Sequence, residues 1–202
     1  MATQVWGICG ASGSGKSTFA LALMARLGAE HVSVVSFDSY YLDLSHMTPE
    51  ERALVNFDHP DSLDIPLLCA HLDALHAGQA VDAPVYDFAV HNRTAVVQRI
   101  EPRPIVVIEG ILVLATEEVR SRLDYTVFLD VPDEICLHRR LERDVRDRGR
   151  AEEDVRRRYA ETVRPMFERH AAHRAPGCDR VIRFGEDRVE VMEELATWIG
   201  IS

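Results

Sequence analysis

Gly10-Ala11-Ser12-Gly13-Ser14-Gly15-Lys16-Ser17-Thr18 fits the pattern G-x-x-x-x-G-K-[ST]. An apolar run, Val5 to Cys9, precedes it, and helix formers, Phe19 to Leu27, follow. The motif therefore sits between a strand and a helix, the context it needs. Glycine-rich backbone lets successive N–H groups converge on one anion. The helix that follows adds its positive N-terminal end. Lys16 brings a mobile charge to the outer phosphates, and Ser17 offers a hydroxyl to Mg²⁺. The bland alternative is a Gly/Ser turn with a chance lysine. Composition speaks against it, because the 23 basic side chains are 22 Arg and one Lys, and that one is Lys16. A compact ammonium is wanted there, not a planar fork.

Carboxylates come next. Asp38 closes an apolar stretch in Val34-Val35-Ser36-Phe37-Asp38, and Glu109 ends another in Ile105-Val106-Val107-Ile108-Glu109. At the carboxyl ends of strands both would face a bound phosphate. Asp38 could accept a proton from an attacking hydroxyl or hold a metal water, and Glu109 could orient Mg²⁺. A turn or cap role is the plainer reading of Asp38. Asp58, in Asn56-Phe57-Asp58-His59, lies upstream of the helix-capping candidates Asp61, Ser62 and Asp64, and a loop carboxylate can accept both hydroxyls of a sugar diol. Tyr86, Phe88 and His91 could stack on and read a flat base, His91 otherwise being an exposed turn residue. Nine arginines fall between 139 and 158, interleaved with acids, as on a solvated helix face. That reading fits Arg148-Gly149-Arg150 poorly, where two mobile cations on a bend suit a lid over phosphates. His170 and His173, three apart without a third ligand, read as surface histidines.

Positioning elements follow from periodicity. Strand-like runs are Val5–Cys9, Val32–Phe37, Ile105–Glu109, Tyr125–Leu129 and Arg180–Phe184, several apolar throughout as in strands buried on both faces. Helical patterns alternate with them at about 16–27, 64–77, 133–147, 152–174 and 187–199, with Asp133 an expected N-cap and Gly78 and Gly149 expected stops. This predicts an α/β protein with a parallel sheet wrapped by helices. About 80–104 reads instead as an inserted β-hairpin flap. The 202 residues read as one domain, 1–202. A net charge of −10 argues against nucleic acid as a partner. Scattered Cys9, Cys69, Cys136 and Cys178, no membrane-length apolar run and no room for a signal peptide predict reduced thiols and a cytoplasmic protein with no membrane partner.

Taken in order, GASGSGKST, DSYY, NFDHPDSLD, PVYDFAVHNR, VVIEGIL, RRLERDVRDRGR and YAETVRPMFERH resemble the uridine kinase (uridine–cytidine kinase) family of P-loop kinases, over about Gly7 to Arg180. The resemblance implies a five-stranded parallel sheet of order 2-3-1-4-5, a β-hairpin and a helical, arginine-rich lid at about 138–160. It implies transfer of the γ-phosphoryl of ATP or GTP to the 5′-hydroxyl of uridine or cytidine in pyrimidine salvage. Asp38 matches the catalytic base; Ser17, Asp38 and Glu109 match the Mg²⁺ partners. Asp58 matches the ribose carboxylate; Tyr41 and Phe57 line the nucleoside site, and Tyr86, Phe88 and His91 the base pocket. Arg140, Arg143, Arg148 and Arg150 match lid arginines shared between nucleoside and phosphates, with Arg140, Arg143 and Arg150 on the nucleoside, Lys16, Arg143 and Arg148 on the transferring phosphoryl group, and Arg148 and Arg150 on the nucleotide. The family is often tetrameric and inhibited by CTP, so a homo-oligomer is implied. Arg158-Tyr159 departs from the family's Gln-Tyr, and Ala175-Pro176-Gly177-Cys178-Asp179 departs before the last strand. The rival readings are a phosphoribulokinase-like or pantothenate kinase-like enzyme, a GTPase, whose N-K-x-D needs a second lysine this chain lacks, and a nucleotide-binding regulator.

Overall fold

Residues 3–199 are described by a computed structural model of the chain; the first two and last three residues of the predicted domain lie outside them. Strands β1 (Gln4–Gly10), β2 (Val32–Ser36), β3 (Val81–Asp87), β4 (Asn92–Ile100), β5 (Ile105–Glu109), β6 (Tyr125–Asp130) and β7 (Arg180–Arg183) form two sheets. The larger is parallel, in the order β2-β5-β1-β6-β7. Counting only its own strands, this is the expected 2-3-1-4-5. Strands β3 and β4 pair antiparallel as a separate hairpin.

Central strands read as continuous apolar runs because both faces are covered. Every residue of β5 is buried, and β1 is buried from Val5 onward. Alternation sends Val5 and Cys9 to one face with Leu68 and Leu72, and Trp6 and Ile8 to the other with Phe19 and Leu23. The first cluster is covered by α3 (Ile65–His76), the second by α1 (Lys16–Leu27) and α8 (Arg188–Ile199). Each fully buried side chain of this size contributes about 1.5–3 kcal/mol. Two short helices, α2 (Pro49–Ala53) and α4 (Glu117–Arg120), sit in connections. The register sets Ser36 beside Glu109, so β2 and β5 end level and deliver Asp38 and Glu109 to one edge.

The expected lid, about 138–160, falls on α5 (Asp133–Arg148), α6 (Glu152–Arg158) and the start of a π-helical turn (Tyr159–Val163), after which α7 (Arg164–His170) follows. Two expectations change here. Pro132, not Asp133, is the N-cap of α5; Asp133 is helical, and its carboxylate instead accepts from Tyr159 Oη at 2.5 Å and Arg164 Nη1 at 3.0 Å. The expected helix over 152–174 is divided by the π turn and ends at His170, followed by a 3₁₀ stretch over Ala172–Gly177. Pro165 explains the division, since it lacks the N–H an unbroken α-helix would use there. Asp64, one of the capping candidates, caps α3, its Oδ1 accepting from Leu67 N at 3.1 Å. Gly78 and Gly149 stop their helices as expected, both at positive φ.

Candidate active site

The loop between β1 and α1 curls under the N-terminus of α1. Gly13 must be glycine: a Cβ there would lie 2.1 Å from the Cys136 carbonyl oxygen, and its φ is +88°. The lid helix therefore presses directly on the cradle. Lys16 is buried, its Nζ donating to the Ala11 carbonyl at 2.9 Å. Burial lowers its pKa, while Glu109 and Asp38 pull it back up. Ser14 Oγ is buried without a partner, a free polar group inside a loop shaped for an anion.

Asp38 stands on a 3₁₀ turn, Phe37–Tyr40, immediately after β2. Arg93 of β4 clamps this turn: its Nε donates to the Tyr41 carbonyl at 2.6 Å, and its Nη2 lies 3.3 Å from the Tyr40 carbonyl and 3.2 Å from Asp64 Oδ2. Burial raises Asp38 above its ordinary 3.8 against the pull of Lys16, Arg148 and Arg143. Glu109 is buried and likewise raised, with Lys16 lowering it, Asp38 raising it and the Ser17 and Ser36 hydroxyls facing it. Ser17, Asp38 and Glu109 are thus an all-oxygen donor set. Among the described residues no three His, Cys, Asp or Glu gather as a metal cage. Two carboxylates and a hydroxyl, completed by phosphate oxygens and waters, suit Mg²⁺. A cation would also relieve the mutual repulsion of the two acids.

A cleft of about 450 Å³ opens from this edge, and all the predicted nucleoside-side and lid residues line it. One wall is aromatic. Tyr41 and Tyr86 lie 5.0 Å apart, Tyr86 and Phe88 5.1 Å, and Phe57 stacks on His91 at 5.2 Å with 12° between planes. The Tyr86 hydroxyl is buried without a partner. His91 is not a free turn residue: it takes positive φ at the hairpin tip and is half-buried. Burial and the charges of Arg150, Arg158 and Arg148 lower its pKa, so the imidazole is neutral at pH 7. Next to Phe57 in the chain, Asp58 Oδ2 accepts from Thr162 Oγ1, in the π turn, at 2.8 Å. Burial raises the pKa of Asp58, while the Thr162 hydroxyl and Arg140 lower it.

The arginines form the roof. Arg140 is buried and its Nη1 donates to Ser12 Oγ at 2.7 Å, joining lid to cradle. The Arg148 guanidinium lies 4.3 Å from the centre of the Phe88 ring, joining lid to hairpin. Arg158 Nη2 donates to the Ala53 carbonyl at 3.4 Å. Arg150 Nη1 lies 3.3 Å from Asp144 Oδ2, so the expected pair of mobile cations, Arg148 and Arg150, is held in place. Of the cradle residues, Ser12, Gly13, Lys16 and Ser17 face this cleft, while Gly15 and Thr18 face a second cleft of about 290 Å³. Ala11 borders a further pocket against α7. Gly10 closes β1 and is not part of any of these walls.

Some side chains at or beside these clefts carry no clear signal in the sequence. Thr162 is hidden by a helical register that periodicity cannot resolve. Arg139 and Phe184, 5.9 Å apart in the second cleft, come together only through folding. Asp144, with no exposed side-chain surface, sits among four arginines. Its signal was present in the spacing of Arg140, Asp144 and Arg148. His170 also differs from expectation: it is half-buried, edge-on to His59 at 5.0 Å, while His173 is exposed. The four cysteines are free thiols, three of them buried. No described helix is long and apolar enough to cross a membrane.

A cradle that fits phosphate, acids level with it and a cationic roof define the class of the protein, a P-loop kinase. The profile of the Phosphoribulokinase / Uridine kinase family matches residues 5–188, and the chain belongs to that family. A uridine kinase from Chloroflexus aggregans is 49% identical over 160 residues, 79% of this chain and 77% of its own. A uridine kinase from Pasteurella multocida is 45% identical over 189 residues, 91% of this chain and 88% of its own. Among solved structures, D-glycerate 3-kinase from Cryptococcus neoformans superposes with a TM-score of 0.62 at 17% identity, covering 83% of this chain and 78% of its own, a likeness of fold.

Proposed function

We propose that the protein is a uridine/cytidine kinase, moving the γ-phosphoryl group of ATP or GTP to the 5′-hydroxyl of a pyrimidine ribonucleoside. The observation that carries this reading is one cleft lined together by an aromatic wall, by Asp58 with Thr162, and by Asp38 beside the cradle. The relatives named uridine kinase support it.

In this reading the base rests on the aromatic wall, with neutral His91 and the Tyr86 hydroxyl at its edge. A neutral imidazole donates to a carbonyl or accepts from an amine, which admits both uracil and cytosine. Asp58 accepts from the ribose diol. That sets the 5′-hydroxyl toward Asp38, which removes its proton as the bond to phosphorus forms. Lys16, Arg143 and Arg148 hold the charge that spreads over the transferring group, and the closed lid keeps water from competing. Ser17, Asp38 and Glu109 would hold Mg²⁺, which neutralises phosphate charge when bound. The donor's base occupies the second cleft, where Arg139 and Phe184 offer a cation and an exposed ring beside Gly15.

A coupled assay of ADP release with ATP tests the reading. Turnover that requires uridine or cytidine is expected. ATP hydrolysis that no nucleoside accelerates would refute it and favour a nucleotide switch. Turnover only with a phosphosugar or pantothenate would favour the neighbouring small-molecule kinases.

A further inference from the structure

Asp144 has a carboxylate that no solvent reaches and that does not line the cleft. The α5 helix sets Arg140 and Arg148 one turn to either side of it and Arg143 next to it. Gly149, at φ +61°, turns the chain so that Arg150 folds back, its N–H donating to the Asp144 carbonyl at 3.1 Å. Asp144 Oδ1 lies 2.8 Å from Arg143 Nη2 and 3.5 Å from Arg148 Nη1. Its Oδ2 lies 3.3 Å from Arg150 Nη1 and 3.6 Å from Arg140 Nε. Burial would raise its pKa, but Arg143, Arg140 and Arg148 outweigh that and leave it below 3.8, so it is ionised.

One carboxylate against four guanidiniums leaves the group strongly positive, and all four arginines also line the cleft. A carboxylate serving only helix stability needs one partner a turn away. Four guanidiniums without a central anion would repel one another and splay toward water. With it they stand gathered, and the N–H groups that Asp144 and Ser12 leave over can meet a second anion.

We propose that Asp144 is a positioning residue: a buried counter-charge that assembles Arg140, Arg143, Arg148 and Arg150 into a ready-made site for the charge that builds on the transferring phosphoryl group. This rests on the kinase reading above and gives the reason the lid arginines point inward. Asp144 touches no substrate; it acts through the guanidiniums. Such preorganisation matters because the donors need not rearrange as the charge develops.

The test is a double-mutant cycle of Asp144→Asn and Arg148→Gln in the full chain, read as kcat with saturating ATP and nucleoside. Wild-type turnover is measured first, and its absence counts against the kinase reading, not against the lid. Asp144→Asn keeps the side-chain shape and removes the charge, and is expected to lower kcat by about 100-fold, the order seen for small misplacements of catalytic groups. If it acts through Arg148, the double variant falls within about threefold of the worse single variant. Losses that multiply, or Asp144→Asn within about threefold of wild type, overturn the proposal. Should Asp144→Asn not fold, Asp144→Glu keeps the charge and shifts it by one methylene. A loss of kcat of about tenfold or more, with KM for ATP within about threefold, is then expected, and wild-type kcat in that variant overturns the proposal.

Discussion

Replacing Asp58 by Asn should remove most of the distinction between ribose and deoxyribose while leaving the site standing. Thr162 Oγ1 anchors Asp58 Oδ2 at 2.8 Å, and Asp58 lines the cleft. An asparagine side-chain oxygen can keep the Thr162 bond, so the loop need not move. What is lost is the negative charge on the acceptor. A hydrogen bond to a charged group contributes about 1.5–3 kcal/mol, and each 1.4 kcal/mol is tenfold. The wild-type protein should therefore prefer uridine over 2′-deoxyuridine by roughly 10–100-fold in kcat/KM. In Asp58→Asn, uridine should fall by about that factor, deoxyuridine by much less, and the ratio should shrink toward about 3. The assay is initial-rate ADP release with the two nucleosides at several concentrations and fixed ATP. Equal losses for both nucleosides would refute the reasoning, because Asp58 would then support the fold or the metal and not the diol.

Three further outcomes follow from the same geometry. Asp38→Asn should lower kcat by about 10²–10⁴-fold with the fold intact, checked by single-turnover kinetics, and a loss under about threefold removes it as the base. The pH profile of kcat/KM carries the same signature. Asp38 must be ionised to act and its pKa is raised above 3.8 in the metal-free enzyme, the form that kcat/KM for MgATP reports, so that parameter is lost as pH falls through the raised value and recovers above it; an acid limb at or below 3.8 in kcat/KM for MgATP contradicts the burial argument. His91→Phe should keep the stack on Phe57 and remove the polar edge, lowering kcat/KM by about tenfold for both uridine and cytidine, and an unchanged value for both would show that the imidazole does not read the base.

The cradle was legible in the sequence because its chemistry needs residue types that little else requires together: glycines, one lysine and a hydroxyl, after a strand. Glu109 and Asp38 were legible for a related reason. Apolar runs mark buried strands, and an acid that ends one falls at the sheet edge where ligands gather. The helix from Lys16 to Leu27 and the strand from Ile105 to Glu109 fall where periodicity puts them. What stayed hidden depends on contacts between distant segments. Asp133 looks like a cap by type and position, yet its partners, Tyr159 and Arg164, lie a helix away. Helical periodicity cannot register one π turn, so the pattern makes Thr162 part of a plain helix. The arginines between 139 and 158 read as a solvated face because Asp and Glu are interleaved. Only folding separates the exposed pairs, such as Arg146 with Asp147, from the buried convergence on Asp144. His170 meets His59 across two chain segments, which spacing within one helix cannot show.

The central claim is that the acceptor's hydroxyl lies between Asp38 and the phosphates held by the cradle. A crystal structure with uridine, Mg²⁺ and a non-hydrolysable triphosphate tests it most directly. The uridine 5′-oxygen should lie within hydrogen-bond reach of the Asp38 carboxylate, about 2.6–3.2 Å, with the ribose diol on Asp58 and the triphosphate chain along Gly13 to Ser17. A 5′-oxygen turned away from Asp38, with the ribose diol elsewhere than on Asp58, would contradict it.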